Sequence, residues 1–122
     1  MKSVRFAYSV FLILVIAVLL NSLAIGRMID LISEELSAAE ETDMTIAKEE
    51  YAVIYDKYKK YELYISLTVN HDDLSNIEDS FSEIVGSAKA EDEAGVLTAK
   101  NRLTEQLSHV KRLAGVNVDS IF

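Results

Sequence analysis

An uninterrupted apolar run near the N-terminus constrains this chain more than any other feature. The residues from Phe6 to Ile25 read FAYSVFLILVIAVLLNSLAI and include no charged side chain. An α-helix of that length is about 30 Å long, which matches the hydrocarbon core of a bilayer. Burying the run inside a chain of only 122 residues would leave little other apolar surface for a core. We therefore predict that residues 6–25 enter a membrane.

The apolar run fits either of two kinds of N-terminal segment. A cleaved signal peptide would use Lys2 and Arg5 as its basic region and would be cut near Ser22 and Ala24. A permanent anchor would continue as a helix beyond Ile25. The run is longer than the roughly 7–15 apolar residues of a signal peptide. Its length favours a single-pass anchor in the cell membrane.

Charge is distributed unevenly along the chain. The whole sequence has 12 basic and 20 acidic residues and a formal charge of −8, of which residues 1–26 carry +2 and the remainder −10. Basic residues ahead of a span favour a cytoplasmic N-terminus. We therefore expect an anchor, or uncleaved signal, at residues 1–27 and an extracytoplasmic acidic domain at residues 28–122. Nucleic acid is not an expected partner, because its binding needs a clustered basic surface.

The body is predicted to be entirely α-helical. The chain has four glycines and no proline, so the strongest helix breaker is absent. Apolar residues recur at helical spacing, most regularly from Leu74 to Ala88, and no useful length of sequence alternates as a strand does. We expect an N-terminal transmembrane helix followed by an antiparallel helical hairpin or bundle of three to four helices.

Polar and small residues indicate where the later helices begin and end. Asp72 or Asp73 is expected to cap a helix that starts near Leu74. The segment GSAKAEDEAG, residues 86–95, is expected to join this helix to the last one. The last helix is expected to end at Gly115, because glycine is the preferred residue just beyond a helix C-terminus.

The segment NHDDL, residues 70–74, is the one place where the sequence suggests chemistry. His71, Asp72 and Asp73 are metal-ligating residue types, and His109 would join them if the last helix packs against this segment. The other interpretation is a helix start, in which Asp72 or Asp73 is the cap and the helix dipole favours Glu78 and Asp79 in the first turns. We favour the helix start, since sequence neighbours on a helix point in different directions. No metal or other cofactor is expected.

Tyrosines crowd the segment before that corner. Tyr51, Tyr55 and Tyr58 fall on one face of a helix, and Tyr61 drifts away from it. Such rings can line a groove for a protein or carbohydrate partner, because they stack while their hydroxyls find hydrogen bonds. They can equally form the core and rim of a helix packing, which is the more common arrangement. An interaction face and a core face are both retained as interpretations.

The second half of the chain resembles a known family. The segment ISLTVNHDDL (residues 65–74), the acidic amphipathic helix after it and the closing DSIF (residues 119–122) carry the resemblance. They are similar to the domain of unknown function 4363 family, small membrane-anchored helical proteins of Gram-positive, spore-forming bacteria. Tyrosine stands among residues 51–61 where tryptophan is expected. Genes of that family often neighbour one for a multi-pass membrane protein, so the resemblance implies a membrane-embedded partner.

These features predict a non-enzymatic, membrane-anchored helical protein that serves as an interaction or accessory module for a membrane partner. The sequence contains no hydrolase, zinc-protease or phosphate-loop motif. The alternative is an extracytoplasmic module that senses a ligand or metal through His71, Asp72, Asp73 and His109. Self-association through the apolar helix faces is a further possibility for the body.

Overall fold

The computed structural model of the protein describes residues 2–119, with side chains from residue 2 to residue 115. These residues form four α-helices and no strand: α1 (Lys2–Ala38), α2 (Met44–Ile65), α3 (His71–Lys89) and α4 (Glu93–Asp119). Each helix contacts the next one along the chain, and α4 also packs against α1. Short connections make the neighbours antiparallel, which closes an up-down-up-down bundle. The predicted all-α fold with a long apolar N-terminal helix is confirmed.

A single helix provides both the apolar run and one wall of the bundle. α1 has 37 residues, which is about 55 Å at 1.5 Å per residue. Most of its side chains up to Leu20 are exposed, whereas its later part has a buried stripe. The members of this stripe are Ile25, Ile29, Ile32 and Leu36. The predicted boundary between residues 27 and 28 therefore falls inside an unbroken helix.

The centre of the core is Phe81 of α3. Its fully buried ring stacks on Tyr55 at a centroid distance of 5.0 Å and on Tyr58 at 5.1 Å. Such aromatic pairs contribute about 0.5–1.5 kcal/mol beyond the burial of their area. The helical period of α3 is confirmed, because its predicted core positions are buried around this ring. They include Leu74, Ile77, Ile84 and Ala88.

Side chains just ahead of α2 and α3 cap these helices. Asp43 Oδ1 accepts a hydrogen bond from the backbone N–H of Thr45 at 3.0 Å. Asn70 Oδ1 accepts one from the backbone N–H of Asp72, also at 3.0 Å. Each acceptor satisfies a donor that the first turn of a helix leaves free. The chain therefore reverses direction at polar residues, and it needs no proline to do so.

Two predicted helix ends are wrong. Asn70 caps α3, which begins at His71, so Asp72 and Asp73 lie in the first turn rather than at the cap. Their carboxylates still face the positive end of the helix dipole, which explains why the local pattern suggested a cap. α4 does not end at Gly115 but passes through it. A glycine inside a helix costs only about 1 kcal/mol relative to alanine, so it need not end one.

Replacing Phe81 by alanine should lower the free energy of unfolding by about 3–5 kcal/mol, because a buried ring leaves a cavity behind. Guanidinium unfolding in detergent micelles, followed by helical circular dichroism, measures the change. Ser82→Ala is the matched control, because Ser82 is exposed on the same helix. It should change stability by less than about 0.5 kcal/mol. Equal midpoints for the two variants would contradict a core centred on Phe81.

Candidate functional site

The NHDDL segment lies at the start of α3. We call residues 66–70, which connect α2 to α3, the α2–α3 corner. His71 and Asp72 are exposed at the start of α3. Asp73 lies next to α4, and its Oδ1 is 3.8 Å from Nε2 of His109. The last helix thus does approach this segment, through Asp73. Among the described side chains, no group of three histidines, cysteines or acids is placed to hold a metal ion.

Asp73 and His109 line a polar groove of about 320 Å³ between α3 and α4. Its charges are mixed, because Arg102 and Glu105 line the same groove. Arg102 is also paired with the carboxylate of Glu83. Acids and bases are interleaved along the groove, so its electrostatics select neither anions nor cations.

The predicted interaction face of tyrosines divides into two parts. Tyr51 and Tyr58 are 0% and 1% exposed, so they belong to the core, and their assignment to a contact surface is wrong. The reason is that α2 packs between α1 and α3, and the Phe81 ring of α3 covers Tyr58. Tyr55 and Tyr61 are half-buried at the rim of the core. A contact role stays a prediction for these two residues.

The hydroxyl groups of the two buried tyrosines are enclosed in the core. Neither Tyr51 Oη nor Tyr58 Oη has a hydrogen-bond partner among the described residues. Burial raises the pKa of both phenols, although the nearby Lys100 ammonium opposes the shift at Tyr51. Lys100 itself is nearly buried, and its Nζ lies 2.7 Å from Oε1 of Glu41. A raised pKa keeps both phenols protonated near neutral pH.

Two carboxyl groups meet across the packing of α2 and α3. Burial raises the pKa of Glu62 to about 7, and a hydrogen bond and the charge of Glu78 act in the same direction. The positive charge of Lys59 opposes this shift. Sequence reasoning missed the pair, because Glu62 and Glu78 lie on different helices and meet only when these helices pack.

An acidic groove of about 400 Å³ lies between the C-terminal part of α1 and the first half of α2. We call it the α1–α2 groove. Its apolar lining consists of Ala38, Ala39, Val53 and Ile54, and its charged lining of Glu35, Glu49, Glu50 and Lys57. Lys57 Nζ is held 2.6 Å from Oε1 of Glu35. The three glutamates therefore leave the groove with an excess of negative charge.

Val53 is the apolar contact that this groove offers to the outside, with 55% of its surface exposed. Sequence reasoning missed it, because the helical period does not distinguish Val53 from the buried Ile54 beside it. The adjacent acids Glu49 and Glu50 lie one turn before both residues, so they do not separate the two either.

No family model, curated protein or solved structure matches the chain. The resemblance to the domain of unknown function 4363 family therefore stays a prediction. Part of its closing DSIF motif, residues 120–122, lies outside the described residues.

The Glu62–Glu78 pair predicts that stability falls as the pH rises. The folded protein holds the pKa of Glu62 at about 7, above its ordinary value of 4.5, so the folded state binds this proton more tightly than the unfolded state. The resulting stabilisation is complete below pH 4.5 and is lost as the pH rises through about 7.

Replacing Glu62 by glutamine removes this titration. The Glu62→Gln variant should therefore show a flatter dependence of the thermal midpoint between about pH 5 and 8, and a higher midpoint than the parent at the alkaline end. Thermal unfolding in detergent, followed by circular dichroism, measures both effects. Glu49→Gln changes an exposed carboxylate of the same helix and should keep the parent slope. A Glu62→Gln slope equal to the parent slope would refute the pairing.

Proposed function

We propose that this protein is a non-enzymatic, membrane-anchored module that presents an acidic groove to a protein partner at the same membrane. The observation that carries the proposal is the continuity of α1, because one helix contains the apolar run and lines the α1–α2 groove. A helix transmits position along its axis, so a partner in this groove is held at a set height above the bilayer. An accessory module for a membrane protein needs such a fixed geometry.

The charge of the bundle indicates what kind of partner the groove takes. The half of the bundle farther from the apolar run, residues 31–57 and 79–105, has fourteen acidic and five basic residues. We call it the distal end. An acidic surface with an apolar contact is complementary to a segment that carries basic residues beside apolar ones, such as an amphipathic basic helix. Val53 would provide the apolar contact, and Glu49 and Glu50 the charge.

The proposed topology places the N-terminus in the cytoplasm and the bundle outside, as Lys2 and Arg5 ahead of the apolar run favour. The chain contains no cysteine, so single-cysteine variants report on one position each. A membrane-impermeant maleimide applied to intact cells should label Ser82→Cys on α3 and leave Ser3→Cys unlabelled until the cells are broken. The reverse labelling would overturn this orientation.

Site-specific crosslinking tests the groove. A photo-reactive residue at position 53 should form a crosslinked product in native membranes, and one at position 82, outside the groove, should not. Glu49→Lys should reduce the product, and raising the salt concentration should act in the same direction, since both weaken attraction to a basic partner. Asp79→Lys makes the same change of charge on α3 and should leave the product intact. Equal crosslinking at positions 53 and 82 would contradict the proposal.

The mass of the crosslinked product identifies the kind of partner. A product of twice the mass of the chain would indicate a second copy as the partner, and any other mass would indicate another protein. The proposal of a membrane partner expects the product only in membranes that contain that protein. It fails if the same product forms in vesicles reconstituted with this chain alone.

A ligand- or metal-sensing module is the second candidate, and the contact between Asp73 and His109 in the polar groove favours it. Calorimetric titration of the protein in detergent with zinc and with calcium decides between the two functions. Binding in the micromolar range that is lost in His109→Ala would support the sensing module. Binding that survives this substitution would remove the polar groove as its site.

A further inference from the structure

The last turn of α2 and the α2–α3 corner that follows it expose large apolar side chains. Leu63 and Leu67 are 80% and 81% exposed, more than any other large apolar residue of the described chain. They lie four positions apart on α2 and the turn that follows it, so they project from the same side. Tyr64, which is partly exposed, and Lys60 share this side. The result is a small apolar patch with a basic residue at its edge.

One hydrogen bond places this patch level with the end of the apolar run of α1, and a second one places Ala114 of α4 at the same level. Asn21 Nδ2 of α1 donates to Thr68 Oγ1 of the corner at 2.9 Å. Ser22 Oγ donates to the backbone carbonyl of Ala114 on α4 at 3.1 Å. Asn21 and Ser22 lie close to the end of the charge-free segment. If that segment spans a bilayer, the corner lies at the surface of the same bilayer.

The charge distribution agrees with this placement. The half of the bundle near the apolar run, residues 21–30, 58–78 and 106–115, has five acidic and five basic residues. The distal end has an acidic excess, as described above. Anionic headgroups repel an acidic surface and tolerate a neutral one. The bundle therefore has its electrically neutral half where lipid would be and its acidic distal end away from it.

We propose that Leu63 and Leu67 insert into the boundary between headgroups and acyl chains of the bilayer that α1 crosses. The corner is then a second membrane contact, which seats the bundle on the lipid surface, and Lys60 meets phosphate groups beside it. Burial of exposed leucines in this boundary is favourable for the same reason as burial in a protein core. This inference rests on the proposed anchoring by α1.

The second contact gives the acidic groove a defined position. A helix attached to a membrane at one point can tilt and rotate, whereas a bundle held by α1 and by the corner cannot do so freely. α2 has 22 residues, about 33 Å of helix, and it leads from the corner to the α1–α2 groove. Val53 of the groove lies 12 residues before Ile65, so the groove is held roughly 20 Å from the lipid surface. A partner has to present its basic segment at that height.

Fluorescence quenching in vesicles tests the contact with the full chain. The chain is reconstituted in vesicles of phosphatidylcholine and phosphatidylglycerol, with an environment-sensitive dye on a single cysteine that replaces Leu67. Lipids with a nitroxide near the headgroup should quench this dye, and its emission should shift to the blue. A dye at Leu97, which is also apolar and exposed but lies at the distal end, should show neither effect.

A third position separates failure of the contact from failure of the anchor. A dye at Leu14, within the apolar run, should be quenched by lipids with a nitroxide deep in the acyl chains. Quenching at position 14 combined with a Leu67 signal equal to that of Leu97 would overturn the corner contact and leave the anchor in place. Loss of quenching at position 14 would overturn both.

Substitution of the two leucines tests their role. A dye at position 60 should be quenched in the parent, and its quenching should fall to the level of the Leu97 position in Leu63→Gln/Leu67→Gln. The substituted residues are exposed, so the fold should persist, and circular dichroism checks this. Ile46→Gln/Leu97→Gln replaces two exposed apolar residues of the distal end and should leave the quenching unchanged. Unchanged quenching in the leucine variant would overturn the proposal.

Discussion

The architecture depends on α1, one helix with an exposed apolar N-terminal part and a later part that packs in the bundle. The N-terminal part of α1 exposes apolar side chains on all sides, whereas its later part has a single buried stripe that begins at Ile25. The change occurs next to Asn21 and Ser22, where side chains of α1 form hydrogen bonds to the rest of the bundle. The backbone ladder of the helix continues through this region. One continuous helix therefore joins the apolar run to the body over the described residues.

The acidic half of the bundle is better explained by function than by stability. Its ion pairs, such as Lys57 with Glu35, lie largely at the surface, where a pair contributes about 0–1 kcal/mol. An excess of like charge opposes the compact state through repulsion. The stability of the bundle instead comes from the core around α3, which packs against both α2 and α4 and stacks its Phe81 ring on α2. A charged surface that does not stabilise the fold suits the proposed contact with a basic partner.

The sequence was sufficient to predict the helices of the fold but insufficient to predict the residues of the candidate site. The period of α3 correctly predicted Leu74 and Phe81 as core positions, because these depend on spacing within one helix. The period of α2, in contrast, could not separate Tyr58, which is buried, from Val53, which is exposed. Both are apolar positions of α2, and only the positions of α1 and α3 decide which is covered. The predicted cap of α3 was wrong for another reason. Asparagine and aspartate are nearly equal as capping residues, so residue type could not separate Asn70 from Asp72 or Asp73.

The sequence by itself determined the long apolar helix and the all-helical body. These follow from local properties, namely a charge-free run, helical spacing of apolar residues and the absence of proline. Only the tertiary structure decided which residues of different helices lie at the same level of the bundle. Asn21 and Thr68, and likewise Glu62 and Glu78, come together because particular helix faces pack. Hydropathy and period are properties of neighbours in the chain, whereas these contacts join residues that only the packing of helices brings into reach.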